Sequence, residues 1–160
     1  MERLDTKRFW TILESVADPE IPALSVVDMG IVRDVEIEGG ELIVSITPTY
    51  SGCPAMALIE REIVKAFRAE GVTASVRRVL SPAWTTEWLS EKGRRMLLES
   101  GIAPPAPVSA AVEIVLPLKT ACPFCGSQNT EVVSEFGSTA CKSLLRCRSC
   151  GSPFEYFKPI

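Results

Sequence analysis

The feature that most restricts how this chain can fold is a pair of short cysteine motifs late in the sequence, Cys122-Pro-Phe-Cys125-Gly126 and Cys147-Arg-Ser-Cys150-Gly151. Each predicts a tight knuckle with two sulfurs aimed at one centre, the glycine permitting the turn and leaving amides free to bond sulfur. Two knuckles supply four thiolates, Cys122, Cys125, Cys147 and Cys150, which is the tetrahedral set that structural zinc prefers. Twenty-one residues lie between Cys125 and Cys147, a little beyond the spacing of about 15 to 20 usual for this pattern. Strand-like pieces at 130–136 and 154–157 flank the knuckles, so the region reads as a small β-type zinc ribbon. Metal binding would supply most of its folding free energy, on the order of 10 kcal/mol or more, because so small a unit buries little apolar area. A rubredoxin-like iron site is the competing reading, since thiolates alone do not settle the metal. Cys141 lies between the knuckles and outside their pattern. It reads as a core cysteine, an alternative ligand or a second functional thiol.

The stretch Ala103-Pro104-Pro105-Ala106-Pro107-Val108-Ser109 is the clearest boundary, because its three prolines favour an extended spacer. The organisation predicted is a first domain at 1–102, a proline-rich linker at 103–111 and the ribbon at 112–160. With 160 residues and a 46% apolar share, the chain suits one ordinary domain plus a small appendage.

The first domain reads as α+β, a small mixed sheet packed with helices. A helix capped by Asp5 or Thr6 runs to about Ala17 on the spacing of Phe9, Leu13 and Val16, and Asp18-Pro19 stops it. Asp18-Pro19-Glu20-Ile21-Pro22 can be neither helix nor central strand, and is an ordered turn that presents Asp18 and Glu20 to one side. A hairpin follows, with strands over 31–37 and 42–47 joined at Gly39-Gly40. In its return strand Leu42, Val44 and Ile46 alternate with Ile43, Ser45 and Thr47, so one face is apolar and the other turns polar. The next helix carries Met56, Ile59, Ile63 and Phe67 on one core stripe and stops at Gly71. A strand over 72–80, a loop carrying Trp84, and a helix over roughly 90–100 complete the domain.

Between the hairpin and that second helix lies Thr47-Pro48-Thr49-Tyr50-Ser51-Gly52-Cys53-Pro54. Proline is favoured at the first helical position, so Cys53 reads as the N-cap. Unpaired amides and the helix dipole would favour its thiolate, making it a nucleophile or soft-metal ligand. Gly52 would let a ligand approach the backbone. The other reading is a half-buried cysteine that behaves as a small hydrophobe.

Composition excludes several chemistries. No histidine occurs, which removes imidazole acid-base catalysis, Ser-His and Cys-His nucleophile activation, and histidine-bearing metal sites. A thiol enzyme using Cys53 would be left with Asp18 or Glu20 as its base, and a carboxylate is poorly matched in pKa to a thiol. From Lys119 onward five basic residues face three acidic ones, and before it twelve face seventeen. Neither part resembles a nucleic-acid binder. No apolar run approaches the ~20 residues of a membrane span, and the charged start is unlike a signal peptide. The expected setting is the cytoplasm, where six cysteines point to metal or redox chemistry rather than to disulfides.

Asp18-Pro19-Glu20-Ile21-Pro22, then Val26-x-Asp28-x-Gly30-x-Val32, then Thr47-x-Thr49 with Gly52-Cys53-Pro54, and finally Pro82-x-Trp84, resemble the successive motifs of the MIP family of iron-sulfur assembly domains, which includes the SufT-like bacterial proteins. The resemblance covers residues 6–101. With the linker and the four-cysteine ribbon added, the whole chain is similar to the PaaD family of phenylacetate degradation. The resemblance implies an α+β first domain in which Cys53 is the thiol of a transient iron-sulfur cluster, with Asp18, Glu20, Thr49 and Gly52 shaping its surroundings. It implies an accessory factor rather than an enzyme, one that matures the iron-sulfur reductase (PaaE-like) component of the phenylacetyl-CoA epoxidase, an oxygenase complex. A non-catalytic structural subunit of that complex is the alternative role. A cluster normally needs four protein thiolates, so one cysteine makes a transient site, and either a homodimer or a partner protein would complete the shell.

Overall fold

The computed structural model describes residues 6–107 and 120–160. These fall into two compact units. The first runs to Trp84 and takes in Trp88–Ser90, and the second comprises Thr85–Glu87 and Glu91–Ile160. The class is α+β as expected, with small mixed sheets, three α-helices and a four-cysteine cluster among the described residues.

In the first unit, helix α1 (Thr6–Glu14) buries Phe9, Ile12 and Leu13. Phe9 meets Phe67 of helix α2 (Met56–Ala69) edge to face, with ring centroids 5.9 Å apart. The helix ends earlier than the expected Ala17, because Ala17 takes an extended conformation and bridges to Ser25 ahead of Asp18-Pro19. Ile21, Leu24, Val26, Met29 and Ile31 are all buried, so the turn-rich stretch after α1 is part of the core. The hairpin joins β1 (Val32–Glu38) to β2 (Glu41–Ile46) through Gly39 and Gly40, both at positive φ, which is the backbone that a tight two-residue hairpin requires. Helix α2 then crosses over to β3 (Ala74–Arg78), which pairs with β2 in parallel. Strand β2 is central and buried from Leu42 to Ile46. The expected polar face is therefore covered: Arg77 of β3 reaches across to Glu36 and Glu38 of β1, over the row that holds Ile43 and Ser45.

A polar clip closes this unit. The buried Asp28 carboxylate accepts the Ser25 hydroxyl at 2.9 Å and the Ser90 hydroxyl at 2.6 Å. The Trp84 indole donates to the Met29 carbonyl at 2.9 Å, and Arg33 stacks 3.4 Å over the Trp88 ring.

In the second unit, helix α3 (Glu91–Glu99) leads into β4 (Ile102–Ala103), and the sheet runs β4-β7-β6-β5 with β5 at Thr130–Ser134, β6 at Lys142–Cys147 and β7 at Pro153–Phe157. Ala103, Cys122, Leu145, Cys147, Phe154 and Tyr156 form its core. The second unit includes residues on both sides of the expected boundary after residue 102. Ile102 and Ala103 pair in parallel with Glu155 and Tyr156, and the Ala106 amide donates to the Tyr156 hydroxyl at 3.3 Å. The start of the expected linker is thus fastened to the ribbon. Residues 108–111 of that linker, and 112–119 of the expected ribbon, lie outside the described residues. Strand β6 has no counterpart among the strands expected from the sequence. Its Lys142 is buried beneath an ion pair with Glu155 at 2.9 Å, which hides the strand from a reading based on alternation.

Gly30 sits at φ 68°, and a Cβ built there would lie 2.4 Å from the Trp88 carbonyl oxygen. Gly30→Ala therefore combines left-handed strain with a clash against backbone. Urea unfolding of the first unit is expected to show a loss of about 2 kcal/mol or more.

Candidate functional site

The two cysteine knuckles are built alike. Cys122 and Cys147 each donate their amide to the carbonyl of the residue five positions on, Ser127 and Ser152, at 2.9 Å in both cases. The amides of Gly126 and Gly151 return to the carbonyls of Cys122 and Cys147 at 2.9 Å. Both glycines hold positive φ, 73° and 79°, and close the turn as the sequence predicts. The second knuckle links β6 directly to β7, so the sheet itself delivers two of the sulfurs. All four Sγ atoms lie within 4.8 Å of one another. Cys122 and Cys150 are 3.8 Å apart, and Cys125 and Cys147 are 3.6 Å apart. A tetrahedron with bonds of about 2.3 Å to sulfur has edges of about 3.8 Å, so the donor set and its spacing fit a structural metal.

The electrostatics of the cluster point the same way. The Ser152 hydroxyl and amide bring Cys150 down to about 6. The Cys150 amide lowers Cys147, against its burial. The Ser127 amide acts to lower Cys125, but the sulfurs around it, Cys147 first, hold that thiol up to about 12. Four thiols so close cannot all ionise without a cation between them. The sequence reading misses Ser127 and Ser152, although the repeat of Cys-Gly-Ser at 125–127 and 150–152 carries the signal. Cys141 stands outside the cluster, buried, with its thiol 3.1 Å from the Thr139 hydroxyl.

Cys53 is a different environment. Helix α2 begins at Met56 with Ala55 as its N-cap, so Cys53 is not the cap and Pro54 is not the first helical residue. Instead Cys53 to Met56 form a turn that leads into the helix, with the Met56 amide 3.4 Å from the Cys53 carbonyl. The thiol is half-buried and receives the Ala55 amide and a hydrogen bond from Thr49. Its pKa is nevertheless raised, first by burial and then by the negative charge of Glu20 and Asp18, which together outweigh those donors. The expected thiolate is accordingly a protonated thiol at rest.

The 18–22 turn and the 47–54 turn come together at this thiol. Asp18 is buried, and its Oδ1 accepts the amides of Glu20 at 2.9 Å and Ile21 at 2.8 Å, which fixes the turn that brings Glu20 into range. Thr49 is buried, while Gly52 is exposed with nothing within 4 Å of where a side chain would begin. Thr47 is buried too, and among the described residues its Oγ1 has no hydrogen-bond partner. A thiol beside two carboxylates is suited to exchanging its proton for a soft cation, because the charges that oppose the bare thiolate would favour the metal.

Comparison with known proteins is consistent with both halves of this arrangement. Residues 113–158 match a family described as the PaaD zinc beta ribbon domain, and residues 7–79 match one described as iron-sulfur cluster assembly protein. A protein of Escherichia coli K12, provisionally named as a subunit of 1,2-phenylacetyl-CoA epoxidase, is 45% identical over 167 aligned positions covering all of both chains. The Fe-S protein maturation auxiliary factor YitW of Bacillus subtilis 168 is 33% identical over 93 positions, 56% of this chain and 90% of that one. The crystal structure of a DUF59 domain of unknown function from Bacillus anthracis shares the fold with a TM-score of 0.52 and 27% identity, over 57% of this chain and 89% of that one. No helix among the described residues is long and apolar enough to cross a membrane.

Two outcomes are expected. Stripping the metal with a strong chelator, or replacing Cys125 with Ser, should abolish slow hydrogen exchange in β6 and β7 while α2 keeps its protection, because metal binding and sheet formation are coupled in the second unit. For Cys53, the rate of alkylation by iodoacetamide should rise at a pH above that of an unperturbed cysteine, and Glu20→Gln should move that rise to lower pH by removing a repelling charge.

Proposed function

The chain belongs to the PaaD family of phenylacetyl-CoA epoxidase subunits, and on that basis we propose that it is an accessory iron-sulfur assembly factor that matures the iron-sulfur reductase component of the epoxidase in phenylacetate catabolism. In this reading Cys53 carries a cluster in passage, Asp18, Glu20, Thr49 and Gly52 shape its site, and the ribbon holds zinc as a resident structural ion. The cluster is cargo. The observation that carries the reading is the single half-buried thiol, set between donors and carboxylates in an iron-sulfur assembly domain and distinct from the four-sulfur set. One thiolate attaches a cluster without retaining it, and a donor must release what it carries. A second copy of Cys53 or a ligand from the client completes the shell during the hand-over.

The protein works in the cytoplasm in this account, where its thiols stay reduced. It acts as a non-enzymatic partner of the epoxidase components. A thiol enzyme is disfavoured by the upward shift of Cys53 and by the lack of any histidine to activate it. A purely structural subunit of the complex is the second reading, favoured by the relative's description as a subunit.

Anaerobic reconstitution of the native chain and of Cys53→Ala separates these. The assembly role predicts about one zinc per chain in both proteins, with labile iron and sulfide in the native chain alone. Zinc in both and iron in neither would sink cluster carriage and leave the structural role.

A further inference from the structure

The three-stranded sheet of the first unit has two edge strands, β1 and β3, and the β3 edge lies beside a cationic groove. Strand β3 bonds to β2 alone, and among the described residues no segment pairs with its other side. The Val79 amide is directed to the Ile46 carbonyl at 2.8 Å. Because a strand alternates, the main-chain groups of Val76 and Arg78 face away from β2. Such an edge is a template for another strand.

Beside it, between β3 and α2, runs a groove of about 460 Å³ whose lining includes Arg61, Val64, Lys65, Arg68, Ser75 and Val76. Arg61, Lys65 and Arg68 follow one another at four and three residues on one face of the helix, and all are exposed. The nearby acids are already engaged. Glu60 bonds Arg78, and Glu62 bonds Lys65 at 3.4 Å. Arg61 and Arg68 have no ion-pair partner among the described residues. In a chain of net charge -3, two uncommitted guanidinium groups next to an open strand edge are a local reversal of sign.

We propose that this edge and groove are a docking surface for an extended acidic segment of a partner protein, which adds as a fourth strand beside β3 and sets its carboxylates against Arg61 and Arg68. The outward main-chain groups of Val76 and Arg78 provide the pairing, and the guanidinium groups select the charge. Val64 and Val76 supply the apolar part of the lining. A neutral or basic strand would meet the same main-chain groups with nothing to match the arginines. The chain's own acidic edge strand is a poor occupant, because Glu36 and Glu38 of β1 already bond Arg77. The proposal stands independently of the role given to Cys53.

The test uses the full-length, metal-loaded chain and two short fluorescein-labelled peptides, one alternating Glu with Val and the other alternating Lys with Val. Anisotropy should show the Glu peptide binding and the Lys peptide not binding. Arg61→Glu/Arg68→Glu, both on an exposed helix face, should weaken the Glu peptide by about tenfold or more, and the milder Arg61→Gln/Arg68→Gln by less. Hydrogen exchange in the complex should slow at the amides of Val76 and Arg78. Failure of both peptides, equal binding of both, parental affinity in the Glu double variant, or slowed exchange confined to other strands would overturn the proposal. So would self-association that the Glu double variant abolishes, since a second copy would then be the occupant.

Discussion

The second unit depends on the mutual repulsion of four sulfurs. Held within 4.8 Å of one another, they hold one thiol up to about 12, while the Ser152 hydroxyl and amide bring another down to about 6, a split that a cation among them would relieve. The same sulfurs are structural members of the fold. Cys122 and Cys147 lie in the core with Leu145, Phe154 and Tyr156, and the second knuckle joins β6 to β7. Metal, core and sheet therefore form together, which is how strands of only five and six residues make a stable body.

Cys53 is surrounded by the same kinds of donor and yet answers in the opposite direction. An amide and a hydroxyl approach its sulfur, as they approach Cys150, but its charged neighbours are Glu20 and Asp18 and it is half-buried. The hydrogen bonds are alike. What differs is burial and the pair of carboxylates beside Cys53, and these set the direction of the shift. The Asp18 turn is what imposes them, since two amides pin its carboxylate and carry Glu20 into place.

Where structure is legible in the sequence, the determinants are local. The knuckles, the Gly39-Gly40 hairpin and the α2 stripe of Met56, Ile59, Ile63 and Phe67 each sit in a short window whose residue types have one good solution. Other features depend on distant partners. Strand β2 is buried on both faces because Arg77 and Glu36 close over one of them, and β6 hides its Lys142 under Glu155, forty-one and thirteen residues away in sequence respectively. Ile102 and Ala103 look like the edge of a linker until β7 pairs with them. The start of α2 at Met56 escapes a sequence reading because proline preference marks a favoured register but not the turn from Cys53 to Ala55 that precedes the helix.

The two thiol environments differ in how readily each would exchange a proton for a metal. A soft cation entering the four-sulfur site would meet a thiol brought down to about 6, and its charge would let the neighbouring thiols ionise. At Cys53 the same cation must first displace a proton that burial and two carboxylates hold in place, and a single sulfur answers it. Under the proposed function the ribbon would fill first and keep its ion, while Cys53 would stay available and return to the protonated state when its cargo leaves. Retention and release place contradictory demands on one set of ligands, and under the proposed function they fall to two sites, in separate units and with different balances of charge.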